Sequence, residues 1–283
     1  MWSSTLEGLP KGFIELEEGS RRILAKEAYL PYLREKGLLE PRSLFRGLDQ
    51  GGPLRGRGSL LVVEGEVALV VRRYLHGGLL RAFNEDLFLF GDRPFQELLI
   101  TEGLRQRGVR TLEPVAAIRE GVGPFYRGYL ITHYLPRVVD LITYLRGRPP
   151  LGQKRTIIRK AAELTRMVHD LGVLHGDLHL KNFLVEDGEV LIIDFDRATR
   201  HPSLSPAMRM ENLKRLDRSA EKLRRRGLPL SDADKLTFWR TYARGRRDLE
   251  EALRRHLKRY RLRVLLWRLG WTLEERLYGR AGG

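Results

Sequence analysis

Apolar residues recur at two different spacings along the chain, and the change of spacing divides it. Between residues 20 and 37, Ile23, Ala28, Leu30 and Leu33 interleave with charges at a spacing that predicts an N-terminal helix, kinked or ended near Pro31. A glycine-dense loop at 51–59 leads into an apolar run at 60–63. Glu64, Gly65 and Glu66 interrupt that run, and residues 67–71 resume it with β-branched side chains, which predicts a β-hairpin. After a glycine- and aromatic-containing insertion at 76–92, residues 94–106 place Phe95, Leu98, Leu99 and Leu104 on the inner side of a helix that Gly108 ends. Two more strand-like runs, 115–118 and 129–132, flank a loop that contains Gly121, Gly123 and Pro124.

Beyond Pro136 the spacing becomes helical. Residues 139–145 carry it, and after a Gly-Arg-Pro-Pro break so do residues 154–169, through Ile157, Ala161, Leu164 and Val168. A short strand-like run to His175, a polar loop, an apolar run at 183–185, an Asp187-Gly188 turn and a run at 190–193 follow. The rest reads as mainly helical. The expected architecture is α+β in two lobes. Residues 1–135 hold the N-terminal helix, the Gly-rich loop, the sheet and one helix, and residues 136–283 form a helical lobe with the polar loop and a basic amphipathic terminal helix.

Composition narrows the chemistry. With 42% hydrophobic and 31% charged residues the chain is globular rather than disordered. Without cysteine it has no disulfide, zinc-thiolate site or cysteine nucleophile. The first 22 residues lack the apolar core of a secretory signal, and no apolar run approaches the ~20 residues that cross a bilayer. The net charge of +16 is unevenly spread: residues 209–226 carry +5, residues 244–283 carry +7, and the remainder only +4. An anionic partner should therefore meet the C-terminal part. There Leu249, Leu253, Leu257, Tyr260, Val264 and Trp267 share one helical stripe, flanked by Arg254, Arg255, Lys258, Arg259, Arg261 and Arg263. Such a helix packs on its own lobe, lies on an anionic membrane, or binds RNA.

The sharpest signal is His175-Gly-Asp177-Leu-His-Leu-Lys-Asn182, followed by Leu191-Ile-Ile-Asp194-Phe195-Asp196. Phosphoryl transfer from ATP needs a carboxylate beside the attacking hydroxyl and oxygen ligands that hold magnesium on the phosphates. Asp177 fits the first role, and Asn182 and Asp194 fit the second. Any one of the three alone would more often cap a turn or end a strand. Their order and spacing together favour phosphotransfer.

In these residues the chain resembles the protein-kinase-like superfamily, and within it the lipopolysaccharide core kinases of the 3-deoxy-D-manno-octulosonic acid (Kdo) type. Asp194-Phe-Asp-Arg, the segment Val71-Arg-Arg-Tyr-Leu-His-Gly-Gly78, and Glu211-Asn-Leu-Lys-Arg-Leu-Asp-Arg-Ser219 carry the likeness, which runs from about residue 52 to 242. It implies a bilobal kinase-like fold, with Gly56 and Gly58 in the loop over the phosphates and Arg72 where protein kinases place a lysine. Arg73 is the neighbouring alternative. It also implies Glu97 as the partner of that arginine, or else a solvated helix glutamate, and His133 to Leu135 as the hinge that meets adenine. The cofactors implied are ATP and Mg2+. His175 reads as structural, His179 as a neighbour of acceptor or metal, and Asp196 as a loop hydrogen-bonder or a neighbour of magnesium. No Ala-Pro-Glu segment follows Asp196, so the platform on which protein substrates dock is missing. The implied acceptor is a lipid-linked acidic sugar at the cytoplasmic face of the inner membrane, with an anionic membrane surface preferred over RNA and no protein partner evident. Rivals are a heptose or aminoglycoside-type kinase, an RNA-linked atypical serine kinase, and a non-catalytic kinase fold that binds membrane or RNA.

Overall fold

The first element is a strand hairpin, where residues 20–37 lead one to expect a helix. β1 (Phe13–Glu18) pairs antiparallel with β2 (Arg21–Lys26), and α1 (Leu30–Glu35) starts only after a 3-10 turn at Glu27–Tyr29. Ile23, Leu24 and Ala25 are all buried, Leu24 in one hydrophobic cluster and its two neighbours in another. A strand covered on both faces shows no alternation, so its apolar run carries no signature of period two. Pro31 lies in the first turn of α1 and begins that helix, since no intrahelical partner awaits an N–H there.

The computed structural model describes residues 8–49, 55–57, 59–76, 86–258 and 264–267, leaving aside the side chains of 47–49 and 55–57. It divides into two units, Met1–Pro136 with Phe195–Arg197, and Arg137–Asp194 with Ala198–Gly283.

In the first unit, α2 (Pro41–Asp49), β3 (Arg55–Arg57), β4 (Leu60–Val63), β5 (Leu69–Arg73), α3 (Arg93–Arg105), β6 (Pro114–Val122) and β7 (Phe125–His133) follow α1. The seven strands form one antiparallel sheet in the order β1-β2-β6-β7-β5-β4-β3. One face packs on α1 and α2 through Leu33 and Phe45, the other on α3 through Phe95 and Leu98. Strand alternation then sorts the two arginines of β5. Arg73 lies on the side of Val71, its guanidinium 4.9 Å from the Phe45 ring centre. Arg72 shares the α3 side with Tyr74.

In the second unit the elements are β8 (Val139–Asp140), α4 (Leu141–Arg146), α5 (Leu151–Asp170), β9 (Val173–Leu174), β10 (Phe183–Glu186), β11 (Glu189–Ile192), β12 (Thr199–Arg200), α6 (Pro206–Arg225), α7 (Asp232–Ala243) and α8 (Arg247–Lys258). Local chemistry sets their ends. Asp140 caps α4 by accepting from the N–H groups of Ile142 and Thr143, and Ser231 with Asp234 forms a capping box on α7. Asp187 and Gly188, both at positive φ, turn β10 into β11.

α8 docks by the leading half of its apolar stripe: Leu249 and Leu253 are buried, and so is His256 beside them. His256 stacks against Trp239 of α7 at 4.6 Å and faces Asp217 of α6. Burial alone would push the Asp217 carboxyl up, but His256 and Lys235 outweigh it and hold the pKa below the usual range. Leu257 is exposed, as are Leu265 and Leu266 in the helical residues 264–267. Arg259, Tyr260, Arg261 and Arg263 lie outside the described residues. No helix among the described residues is long and apolar enough to cross a membrane.

Phe45 fills the space between α2 and the sheet, stacked on Tyr129 at 6.1 Å. Phe45→Ala is expected to cost about 3–5 kcal/mol of unfolding free energy in urea titration. A loss under about 1 kcal/mol would show that α2 does not help hold the sheet.

Candidate active site

The loop from His175 to Asn182 connects β9 to β10. His175 is buried, and its Nδ1 accepts the N–H of Asp177 at 3.2 Å. The ring proton therefore sits on Nε2, which donates to the carbonyl of Ile193 at 3.0 Å. Burial lowers the His175 pKa, so the ring stays neutral in that tautomer. One imidazole thus ties Asp177 to the residue just before Asp194. Asn182 makes the second tie. Its Nδ2 donates to the Asp177 carbonyl at 2.8 Å, and its own carbonyl accepts the N–H of Ile193 at 2.9 Å. The structure therefore joins Asp177, Asn182 and Ile193, the residue before Asp194, in one hydrogen-bonded assembly. Asp194 has φ +69°, a left-handed conformation that Asp tolerates better than most residues and that costs about 1–3 kcal/mol. The Asp177 carboxylate stands out from this scaffold, 55% exposed, with His179 Nε2 3.4 Å away.

Behind the loop runs a buried relay. Asn212 of α6 donates Nδ2 to the His175 carbonyl at 2.6 Å, and its Oδ1 accepts from His169 Nε2 at 3.0 Å. The other ring nitrogen of His169 accepts from the Tyr242 hydroxyl at 2.7 Å. Arg215, one turn beyond Asn212, donates to the Gly176 carbonyl at 2.5 Å. Neither His169 nor Tyr242 stands out in the sequence, and Asn212 does so only within the family-like segment. The available signal was polar side chains within buried helical stripes, His169 next to Val168 and Asn212 next to Leu213.

In the first unit Arg72 and Glu97 form an ion pair, and Tyr74 donates its hydroxyl to the same Glu97 oxygen. Arg72 also reaches the Tyr74 oxygen at 3.1 Å. Glu97 is only 3% exposed, so it is no solvated surface glutamate. Burial first, then the Glu97 charge, raises the Tyr74 pKa well above its ordinary value, which keeps the hydroxyl a donor. Asp196 pairs with Arg93 at the start of α3, Nε to Oδ1 at 2.9 Å and Nη2 to Oδ2.

Gly56 is in strand β3 opposite Leu61 rather than in a loop, and Gly58 lies outside the described residues, as do Gly77 and Gly78. Arg57 and Leu60 pair across β3 and β4. The N–H groups of His133 and Tyr134 are used by the carbonyls of Glu113 and Ala68. The His133 ring bonds the Tyr29 hydroxyl at 2.9 Å. Leu135 N–H enters none of the backbone hydrogen bonds among the described residues.

Among the described residues no group of three or more His, Cys, Asp or Glu could hold a metal. The donor set here is different in kind. Because Nδ2 of Asn182 is committed to the Asp177 carbonyl, its Oδ1 is left as an acceptor, and with the Asp194 carboxylate it supplies the hard oxygen donors that suit magnesium.

A strand sheet with one helix-borne glutamate on an arginine, and a separate unit with an H-x-D-x-x-x-x-N loop leading to an aspartate, define a phosphotransferase of the protein-kinase-like kind. The chain belongs to the lipopolysaccharide kinase (Kdo/WaaP) family, whose model matches residues 48–242. A 3-deoxy-D-manno-octulosonic acid kinase of Vibrio cholerae is 33% identical over 177 residues, 60% of this chain and 73% of its own length. One of Vibrio vulnificus is 32% identical over 190 residues, 65% and 78% of the two chains. One of Haemophilus influenzae is 29% identical over 185 residues, 60% and 75%. Among solved structures, WaaP in complex with acyl carrier protein superposes with a TM-score of 0.54 at 25% identity, covering 91% of this chain and 99% of that one.

The relay behind the loop makes stability depend on pH. Burial lowers the His169 pKa from 6.5 to about 4. Between those values the unfolded chain binds a proton that the folded chain does not, so stability is full above pH 6.5 and falls as pH drops toward 4. Denaturant titration at pH 7.5 and 4.5 is expected to show a loss of about 2–3 kcal/mol from His169. His175 and His133 shift in the same direction. Equal stability at both pH values would contradict a neutral, buried His169.

Proposed function

We propose that the chain is a Kdo kinase: it transfers the γ-phosphate of ATP to a hydroxyl of 3-deoxy-D-manno-octulosonic acid in a lipopolysaccharide precursor. The observation that carries this reading is the set of backbone and side-chain hydrogen bonds that ties Asp177 and Asn182 to Ile193, next to Asp194, in a chain whose relatives are named for that acceptor. Asp177, exposed at the loop, orients the acceptor hydroxyl and takes its proton. Asn182 and Asp194 would hold magnesium, whose chemistry there is to neutralise charge on the phosphates. Arg72, kept straight by Glu97 and Tyr74, aligns the triphosphate with a guanidinium fork in place of an ammonium.

The Leu135 N–H serves adenine, and the β3–β4 hairpin that carries Gly56 covers the phosphates. The reaction runs at the cytoplasmic face of the inner membrane, where the basic outer face of α8 meets anionic lipid headgroups. Arg255 and Lys258 are exposed on α8. The acceptor needs no protein docking platform, and none follows Asp196. A protein does accompany WaaP in its solved complex.

Asp177→Ala should abolish transfer, a fall of about a thousandfold or more in kcat, while nucleotide binding is nearly unchanged. Asp194→Ala should lose magnesium-dependent nucleotide binding as well. Near-normal turnover in either variant would sink the assignment. Arg72→Ala should raise KM for ATP by about tenfold or more in steady-state assays, and an unchanged KM would remove Arg72 from the phosphate site.

A further inference from the structure

α6 carries two sets of residues within two helical turns. Asn212 and Arg215 hold the carbonyls of His175 and Gly176 in the catalytic loop. Met210, Glu211 and Lys214, interleaved with them, line a groove against α8. The groove has a volume of about 530 Å³, within the range of ligand clefts. Part of its wall is apolar, with Ala207 and Met210 from α6 and Ala252 from α8. Its cations are Lys214, Arg255 and Lys258, and the single acid lining it, Glu211, is bound to Lys214 at 2.6 Å. Arg255 and Lys258 are exposed and enter no ion pair among the described residues. The same helix also presents cations away from the groove, Arg247 and Arg254, which are exposed and do not line it.

An apolar wall edged by two uncommitted cations fits an amphiphile that bears a phosphate, and not a neutral sugar. We propose that this groove is an acceptor subsite, which seats the phosphate-bearing part of the lipid-linked acceptor while Asp177 meets the sugar hydroxyl. The proposal rests on the Kdo kinase reading and adds to it the part of the acceptor that is recognised. It also gives the strongly basic C-terminal stretch a located role, in which two of its charges select a phosphate on the substrate and the others face outward.

The test is steady-state transfer from ATP to two acceptors in neutral detergent micelles, a Kdo-bearing lipid A precursor with its phosphates and the same lipid stripped of them. Three proteins are compared: wild type, Arg255→Gln with Lys258→Gln, and Arg247→Gln with Arg254→Gln, which removes equal charge from α8 outside the groove. The groove variant is expected to raise KM for the phosphorylated acceptor about tenfold, leaving kcat, KM for ATP and transfer to the stripped lipid unchanged. The off-groove variant should match wild type. Restoring a cation with Arg255→Lys in the groove variant should recover part of the KM. All positions are exposed, and matching thermal melts verify that each protein is folded.

An unchanged KM in the groove variant would overturn the subsite while leaving the kinase reading intact. An equal rise in both double variants would overturn it too, assigning the effect to general attraction between α8 and an anionic lipid surface. Wild type that phosphorylates neither lipid would instead remove the Kdo kinase reading, and the subsite with it.

Discussion

The backbone of the loop from His175 to Asn182 has to be satisfied from inside the protein while the Asp177 carboxylate faces out. Buried carbonyls and N–H groups without partners would each cost about 1–3 kcal/mol, enough to let the loop rearrange. His175, Asn182 and Asn212 meet that demand together: they bond the N–H and carbonyl of Asp177, both ends of the Ile193 link, and the His175 carbonyl. Much of the second unit follows from this one requirement. α5 ends where His169 can reach Asn212, α7 brings Tyr242 to the other side of that imidazole, and α6 is straight enough to send Asn212 and Arg215 to adjacent carbonyls. Helix packing and loop geometry are the same constraint seen from two directions.

In the first unit the corresponding constraint is a buried carboxylate. Glu97 accepts from Arg72 and Tyr74, and removing either donor would leave charge uncompensated in a nearly water-free place. An arginine on β5 suits this arrangement better than a lysine, because its planar fork meets Glu97 and the tyrosine oxygen and retains donors for an anion. Asp196 occupies the position where protein kinases have a glycine, and its two-pronged pair with Arg93 fixes a segment that glycine would leave free to turn. These two pairs are charge-assisted and partly buried, unlike the surface pairs elsewhere, which contribute little.

Much of this was legible in the sequence, for identifiable reasons. The strand hairpin at 60–71 announces itself by its Glu-Gly-Glu interruption, and the helix at 94–106 by its apolar side and terminal glycine. The order of Asp177, Asn182 and Asp194 is compressed into about twenty residues, so spacing alone conveys the chemistry. β1 and β2 were hidden because both faces of β2 are covered, and Pro31 pointed to the end of a helix that it in fact begins. Choosing Arg72 over Arg73 as the partner of Glu97 needs the pleat of β5, which a run of two arginines does not reveal. Tyr74, His169 and Tyr242 were invisible because a buried tyrosine or histidine in an apolar stripe looks like core until its hydrogen-bond partner, distant in sequence, is placed beside it.

The charge of +16 changes meaning in this setting. Part of the basic α6 stretch is committed internally, Arg209 to Asp170, Arg215 to Gly176 and Arg224 to Glu221 and Asp232. The apolar stripe of α8 is likewise partly spent in the core through Leu249 and Leu253, so apart from Leu257 its exposed positions are mainly charged. A kinase with a strongly basic C-terminal stretch suits a polyanionic lipid acceptor. The direct measurement is mass spectrometry of a Kdo-bearing lipid A precursor after incubation with the protein, ATP and magnesium. One added phosphate on the Kdo sugar, absent when ATP is omitted, is the expected result. An unmodified lipid alongside active transfer to a protein or an aminoglycoside would contradict the account.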